Sequence, residues 1–131
     1  MRSIDAPRER PVAREYRGMQ LGGELVRGEF DRLTLVLAIK EGCLACDEVL
    51  AAPVDAFGAV ATLLVAARPS TSPQWRATSH PLVISELLLD QLDVRWPPFY
   101  VLISPEGPRV LTEGVLMGPA QVAQEIAPFL V

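Results

Sequence analysis

The sequence predicts a single α/β domain in which a mixed central sheet carries helices on both faces. Two apolar runs typical of buried strands, residues 33–39 and 60–67, flank a helical pattern, and a strand–helix–strand unit requires parallel strands. Two later strand-like runs are joined by a short turn, which adds an antiparallel part. With 131 residues, half of them hydrophobic, the chain can bury one core without disulfides or a structural metal.

The amino-terminal region combines charge with proline. Residues 1–17 contain five arginines, namely Arg2, Arg8, Arg10, Arg14 and Arg17. We interpret this segment as a flexible, solvated tail and place the folded domain at residues 18–131.

Charge and hydropathy argue against nucleic-acid binding and against a membrane-spanning segment. The net charge of −4 offers no electrostatic footprint for a phosphate backbone, so nucleic-acid binding is not expected. The sequence contains neither a signal-peptide apolar core nor an uncharged run of about 18 residues that could span a bilayer. We therefore expect a cytoplasmic protein from the sequence as written, or an extracytoplasmic one if a signal or anchor was removed.

The first half of the chain predicts a strand or hairpin near residues 19–27, then the buried strand 33–39, then a helix. The helical pattern begins at Leu44, with Asp47 and Glu48 in its first turn, where the helix dipole favours carboxylates. Pro53 is expected to kink this helix or end its first half, and Gly58 to stop it.

The second half continues the alternation. A strand at residues 60–67 leads into a polar connector, where Ser72 and Pro73 suit one short helical turn and His80 is interpreted as a solvated loop residue. Ser85 is a typical N-cap for the helix that follows. Strands at 99–104 and 109–116, joined over residues 105–108, precede a final helix that starts near Pro119.

The only two cysteines, Cys43 and Cys46, lie at the junction of the first buried strand and its helix. A cysteine at the amino end of a helix meets exposed N–H groups and the positive end of the dipole, which favour thiolate. Cys46, one turn later, is within reach of Cys43 and can resolve a mixed disulfide. Two buried hydrophobes or half of a metal site are the alternatives; zinc needs four ligands, so only a dimer sharing its cysteines would complete one.

The second half of the chain carries a family resemblance. The stretch HPLVISELLLDQLDVRWPPFYVLISPEGPRVLTEG, residues 80–114, places a proline directly before a strand, followed by a hairpin and a terminal helix. Together with the C-x-x-C it resembles the thioredoxin-fold redoxins of the TlpA and MauD type, which combine this motif with a G-V-x-x-x-P-[TFY] loop. The resemblance covers about residues 19–131 and implies a thioredoxin-like fold and thiol-disulfide oxidoreductase activity.

The resemblance also implies roles for individual residues. Cys43 corresponds to the attacking cysteine, Cys46 to the resolving cysteine and Pro98 to a proline with a cis peptide bond beside the pair. The docking loop, which in that family accepts the substrate backbone as an added strand, corresponds to residues 96–99: Trp96, Pro97, Pro98 and Phe99.

Several positions depart from the family pattern. Gly42 precedes the first cysteine and Ala45 stands between the pair. Because the residues between the cysteines help to set the redox potential, the resemblance does not fix its value. Leu37 occupies the strand position where thioredoxins keep an aspartate, and Glu41 is the nearby carboxylate, interpreted as an exposed residue at a strand end. Pro97 lacks the backbone N–H that the family uses to bind substrate.

The sequence therefore supports two functional hypotheses. The first is a thiol-disulfide oxidoreductase that needs no bound cofactor and no metal. It would act on a disulfide-bearing protein or a low-molecular-weight thiol and exchange electrons with an unidentified reductase or oxidant. The second, which Pro97 and Leu37 favour, is a redox-silent thioredoxin-like binding or maturation module.

Overall fold

The structure, a computed structural model, describes residues 9–130. Within this range one sheet contains seven strands: β1 (Glu15–Met19), β2 (Leu25–Glu29), β3 (Thr34–Ile39), β4 (Ala61–Ala66), β5 (Leu82–Ile84), β6 (Phe99–Ser104) and β7 (Arg109–Val115). The helices are α1 (Leu44–Ala51), α2 (Pro73–Ala77), α3 (Glu86–Gln91) and α4 (Pro119–Ile126), followed by a 3₁₀ turn at Ala127–Phe129. None of them is long and apolar enough to cross a membrane.

The sheet is mixed, as predicted. Its strand order is β2-β1-β5-β4-β3-β6-β7. The pairs β3–β4 and β4–β5 are parallel, whereas β3–β6 and β6–β7 are antiparallel. All six residues of β3 are buried, which explains why this strand is a continuous apolar run and not an alternating one.

Helices cover both faces of the sheet, which confirms the predicted fold class. On one face, Leu35, Leu37 and Ile39 pack with residues of α1, α2 and α4. On the other, Val36 and Ala38 pack with residues of α3. Since side chains alternate along a strand, β3 supplies both cores.

Helix α1 ends two residues before Pro53. A residue before proline is driven out of the helical region, and Ala52, before Pro53, has φ −68° and ψ 144°. The predicted Ser85 cap is confirmed: its hydroxyl accepts the N–H of Leu88 at 3.0 Å. The sequence pattern does not single out β5, because three residues are too few for an alternation to show.

Each edge strand of the sheet carries a glycine beneath a tyrosine ring. In the register, Tyr16 of β1 faces Gly28 of β2, and Tyr100 of β6 faces Gly114 of β7. A Cβ on Gly114 would lie 2.9 Å from Cε2 of Tyr100, and one on Gly28 would overlap the ring of Tyr16. Glycine therefore makes room for both rings.

The structure differs from the predicted flexible tail over residues 9–17. Val12 is buried and its N–H donates to the carbonyl of Pro108 at 2.9 Å, while Val110 donates to the carbonyl of Arg10 at 2.9 Å. The segment thus pairs with the start of β7, which satisfies its backbone groups. The domain begins before residue 18; the rest of the proposed tail, residues 1–8, lies outside the described residues.

Candidate redox site

Cys43 and Cys46 form a disulfide at the start of α1, and their Cα atoms are 5.1 Å apart. This distance confirms the prediction that Cys46 lies within disulfide reach of Cys43. Cys43 is the N-cap of α1, with φ −125° and ψ 114°, and its Sγ accepts the N–H of Cys46 at 3.2 Å. Gly42 directly before it has φ +68°, so a glycine makes the turn from β3 into the helix without strain.

The two sulfurs differ in access. Cys43 is 9% exposed and Cys46 is fully buried. Cys43 is therefore the less buried of the two residues and the one nearer to solvent. When the disulfide opens, the N–H of Cys46 and the helix amino terminus stabilise negative charge on Cys43, although the Asp47 carboxylate in the first turn of α1 opposes this effect.

Behind Cys46 the surroundings are apolar. Leu37, Val49 and Tyr100 belong to the same packed core as both cysteines. The polar residues of the described range that are buried as whole residues are threonines, serines and one histidine, and none of these carries a carboxylate. Glu41 is exposed, in line with its interpretation as a strand-end residue.

The docking loop lies at the end of the sheet from which β3 leads to the cysteines. The Pro97–Pro98 peptide bond is cis, as predicted. The antiparallel register pairs Ala38 with Phe99, which places Pro98 beside Ile39, four residues before Cys43. The carbonyl of Pro98 accepts the N–H of Leu116 at 3.2 Å, so the loop is also tied to the end of β7.

Three strongly exposed apolar side chains lie in the docking loop, directly after Cys43 and directly after Leu116. Trp96 is 82% exposed, Leu44 78% and Met117 73%. Trp96, Phe99 and Val115 line a groove of about 460 Å³ together with residues 93–95. Trp75, in contrast, is the buried residue of α2 and packs in the core.

The interpretation of His80 as a solvated loop residue is wrong. His80 is 4% exposed, with Nε2 2.9 Å from the carbonyl of Ala52 and Nδ1 2.9 Å from Oγ1 of Thr62. Since a carbonyl only accepts, Nε2 carries a proton and donates it; in the neutral ring Nδ1 then accepts from the hydroxyl. The ring thus connects the end of α1 to β4, a long-range contact that local polarity does not reveal.

Tyr100 is a second buried polar group that the sequence does not single out. Its hydroxyl donates to Oε1 of Glu125 on α4 at 2.6 Å. Burial raises the pKa of Tyr100 well above its ordinary value, and the hydrogen bond and charge of Glu125 raise it further. Tyr100 is therefore held as a neutral donor that links β6 to α4.

No protein-family model and no curated protein matches the sequence. Solved structures do resemble it. The thioredoxin domain of a thiol-disulfide oxidoreductase from Bacteroides vulgatus has a TM-score of 0.65 at 16% identity, over 92% of this chain and 96% of that one. A thiol:disulfide interchange protein from Bacteroides sp. has a TM-score of 0.64 at 16% identity, over 92% and 88%.

A third similar structure is that of a secreted Mycobacterium tuberculosis disulfide oxidoreductase homologous to E. coli DsbE. Its TM-score is 0.65 at 15% identity, over 86% of this chain and 95% of that one. At such identities the likeness concerns the fold. The chain therefore has the thioredoxin-like fold, and the three similar structures described above are those of thiol-disulfide oxidoreductases or interchange proteins.

Proposed function

We propose that the protein is a thiol-disulfide oxidoreductase whose Cys43–Cys46 pair alternates between disulfide and dithiol. The observation that carries this proposal is the asymmetry of the pair. Cys43 caps the amino terminus of α1 and is the less buried of the two, while Cys46 lies fully buried one turn behind it. One sulfur is placed to meet a substrate and the other to complete the exchange.

The reduction of a substrate disulfide has two steps. The Cys43 thiolate attacks one substrate sulfur, which forms a mixed disulfide and releases the other substrate sulfur as a thiolate that takes up a proton. Cys46 then loses its proton and attacks Sγ of Cys43, which closes the protein disulfide and releases the second substrate thiol. Two electrons pass to the substrate, and the reverse sequence oxidises a dithiol.

Substrate docking is assigned to residues 96–99. The exposed ring of Trp96 and the groove beside Phe99 offer apolar contact on the α3 side of the sheet, where Val94 and Phe99 pack. Pro97 and Pro98 donate no backbone N–H. A substrate strand that pairs with this loop would therefore form fewer backbone hydrogen bonds than on a loop with another residue at position 97. Side-chain contact is therefore expected to contribute most of the affinity.

The substrates are disulfide-bearing proteins or low-molecular-weight thiols, and a separate reductase or oxidant restores the pair. The exchange needs no bound cofactor. A secreted disulfide oxidoreductase among the similar structures supports an extracytoplasmic location, where disulfides persist, over the cytoplasmic one.

A redox-silent binding module is the second candidate. It is favoured by Leu37, which leaves no carboxylate behind Cys46, and by Pro97. In this case the docking loop would hold a partner without turnover, and the disulfide would serve as a staple for the start of α1.

Insulin reduction with dithiothreitol as the electron source separates the two candidates. An oxidoreductase accelerates precipitation of the insulin B chain, and a Cys43→Ser, Cys46→Ser double variant returns the rate to that of dithiothreitol alone. Thiol titration in glutathione buffers of defined potential then shows whether the pair cycles reversibly. A folded wild type with no acceleration and no reversible titration would select the binding module.

A further inference from the structure

Arg10 connects the amino-terminal segment to two other elements through one guanidinium group. Nη1 donates to Oε2 of Glu113 at 2.8 Å and Nη2 to Oε1 at 2.9 Å, which is a bidentate pair with β7. Nη2 also donates to the carbonyl of Leu92 at 2.5 Å. The two charged side chains are 19% and 7% exposed, so the pair is largely shielded from water and stronger than an exposed one.

Leu92 is where the chain leaves α3 for the docking loop. The N–H of Val94 donates to the carbonyl of Leu89 at 2.9 Å and that of Asp93 to the carbonyl of Asp90 at 3.0 Å. Asp93 has φ 57°. These features define a Schellman cap with aspartate in the position that usually holds glycine. Two residues beyond Val94, the docking loop begins at Trp96.

The final turn of α3 contains no basic residue, although the last carbonyls of a helix favour a cation or a donor. Arg10 supplies both from a segment more than eighty residues earlier in the chain. Its own backbone is fixed, since Val110 donates to its carbonyl and Pro11 forms a bridge with Arg109. The backbone of Arg10 is thus ordered, and its side chain can hold the start of the docking loop in place.

We infer that Arg10 is a positioning residue for the docking loop, holding the exit of α3 against β7 so that the loop from Trp96 to Phe99 keeps its place at the end of the sheet from which β3 leads to the cysteines. This inference rests on the proposed function. The groove supports it: Asp93, at the start of the exit, and Val115, two residues beyond Glu113, line the same groove as Trp96. Arg10 touches neither cysteine, so its effect is on docking and not on the redox equilibrium.

Arg14 provides a matched control. It lies in the same segment and donates to the carbonyls of Phe30 at 3.3 Å and Pro105 at 3.4 Å, away from the docking loop. The experiment compares Arg10→Ala, Arg10→Lys and Arg14→Ala. Lysine keeps the positive charge but cannot reproduce the bidentate fork, and it is the milder change if Arg10→Ala does not fold.

Fluorine NMR on protein labelled with 5-fluorotryptophan reports on the loop directly. The chain has two tryptophans, and Trp96→Phe assigns their resonances. In both Arg10 variants the Trp96 resonance should shift and sharpen as the loop becomes more mobile, while that of the buried Trp75 stays in place. In Arg14→Ala neither resonance should move.

Kinetics supply the second readout. The second-order rate constant for insulin reduction should fall on the order of tenfold in Arg10→Ala, less in Arg10→Lys, and little in Arg14→Ala. The equilibrium constant with glutathione should stay at the wild-type value in all three. A change in that constant, or equal effects of Arg10→Ala and Arg14→Ala, would show a general structural role and overturn the inference.

The NMR measurement tests the positioning role of Arg10 independently of oxidoreductase activity. If the wild type reduces no disulfide, the proposed function fails, and a shifted Trp96 resonance in the Arg10 variants still establishes the positioning. An unmoved Trp96 resonance in both Arg10 variants overturns the positioning, whatever the activity.

Discussion

Leu37 and Tyr100 face each other across β3 and β6, on the sheet face that packs against both cysteines. An aliphatic side chain and a phenol whose hydroxyl is turned to Glu125 therefore form the surroundings of Cys46. Neither is a base at neutral pH. Deprotonation of Cys46 is expected to limit the resolving step of the proposed reaction.

A carboxylate at position 37 tests this expectation. Leu37→Asp should speed the resolution of the mixed disulfide on the order of tenfold over Leu37→Asn near pH 7, because asparagine has a similar shape but cannot accept the proton. Both variants should lower the free energy of unfolding by about 2–5 kcal/mol. Stopped-flow measurement of resolution from pH 6 to 9 gives the rates. Equal rates in the two variants would show that deprotonation of Cys46 is not limiting.

The two cysteines should behave differently when replaced one at a time. Cys46→Ser keeps the less buried Cys43 and should accumulate a mixed disulfide with a disulfide-bearing protein, which reducing agent releases. Cys43→Ser should abolish substrate reduction, because Cys46 is buried. Non-reducing electrophoresis with mass spectrometry detects the adduct. Trapping by Cys43→Ser in place of Cys46→Ser would reverse the assignment of the two roles.

Gly114→Ala should destabilise the fold by about 1–3 kcal/mol, because a Cβ there would lie 2.9 Å from the Tyr100 ring. Gly22→Ala is the matched control: nothing lies within 4 Å of its Cβ position, so its effect should be small. Urea unfolding followed by circular dichroism measures both. A Gly114→Ala protein as stable as Gly22→Ala would mean that the ring can move aside without cost.

Tyr100 should make the fold less stable in alkali. Burial, followed by the Glu125 interaction, raises its pKa from 10.0, so the folded state keeps a proton that the unfolded state loses. This contribution is fully present below pH 10 and is lost as pH rises above it. Tyr100→Phe should therefore weaken the fall in unfolding free energy between pH 9 and 11.

Urea unfolding at each pH measures this dependence. Tyr16, whose pKa is raised by burial and then by the charge of Asp31, should account for part of the remaining slope. The double variant with Tyr16→Phe should be flatter still. Identical slopes in wild type and Tyr100→Phe would contradict the assignment.

Much of the fold was predictable because its signals are local. The apolar run of β3, the N-cap at Ser85 and the proline after α1 each act within a few residues, as do the paired cysteines at a helix start. The predictions that failed concern contacts between distant segments. His80 is buried because Ala52 and Thr62 supply partners, and Arg10 is ordered by Glu113 and Leu92; polar residues in a polar stretch carry no local sign of such partners.

The pairing of each edge glycine with a tyrosine ring also has a consequence for how the sequence can change. A larger residue at Gly28 or Gly114 is compatible with the fold only if Tyr16 or Tyr100 becomes smaller. Among homologous chains, residue sizes at 16 and 28, and at 100 and 114, should therefore vary in opposite directions. We therefore expect each hairpin to evolve as a coupled pair of positions.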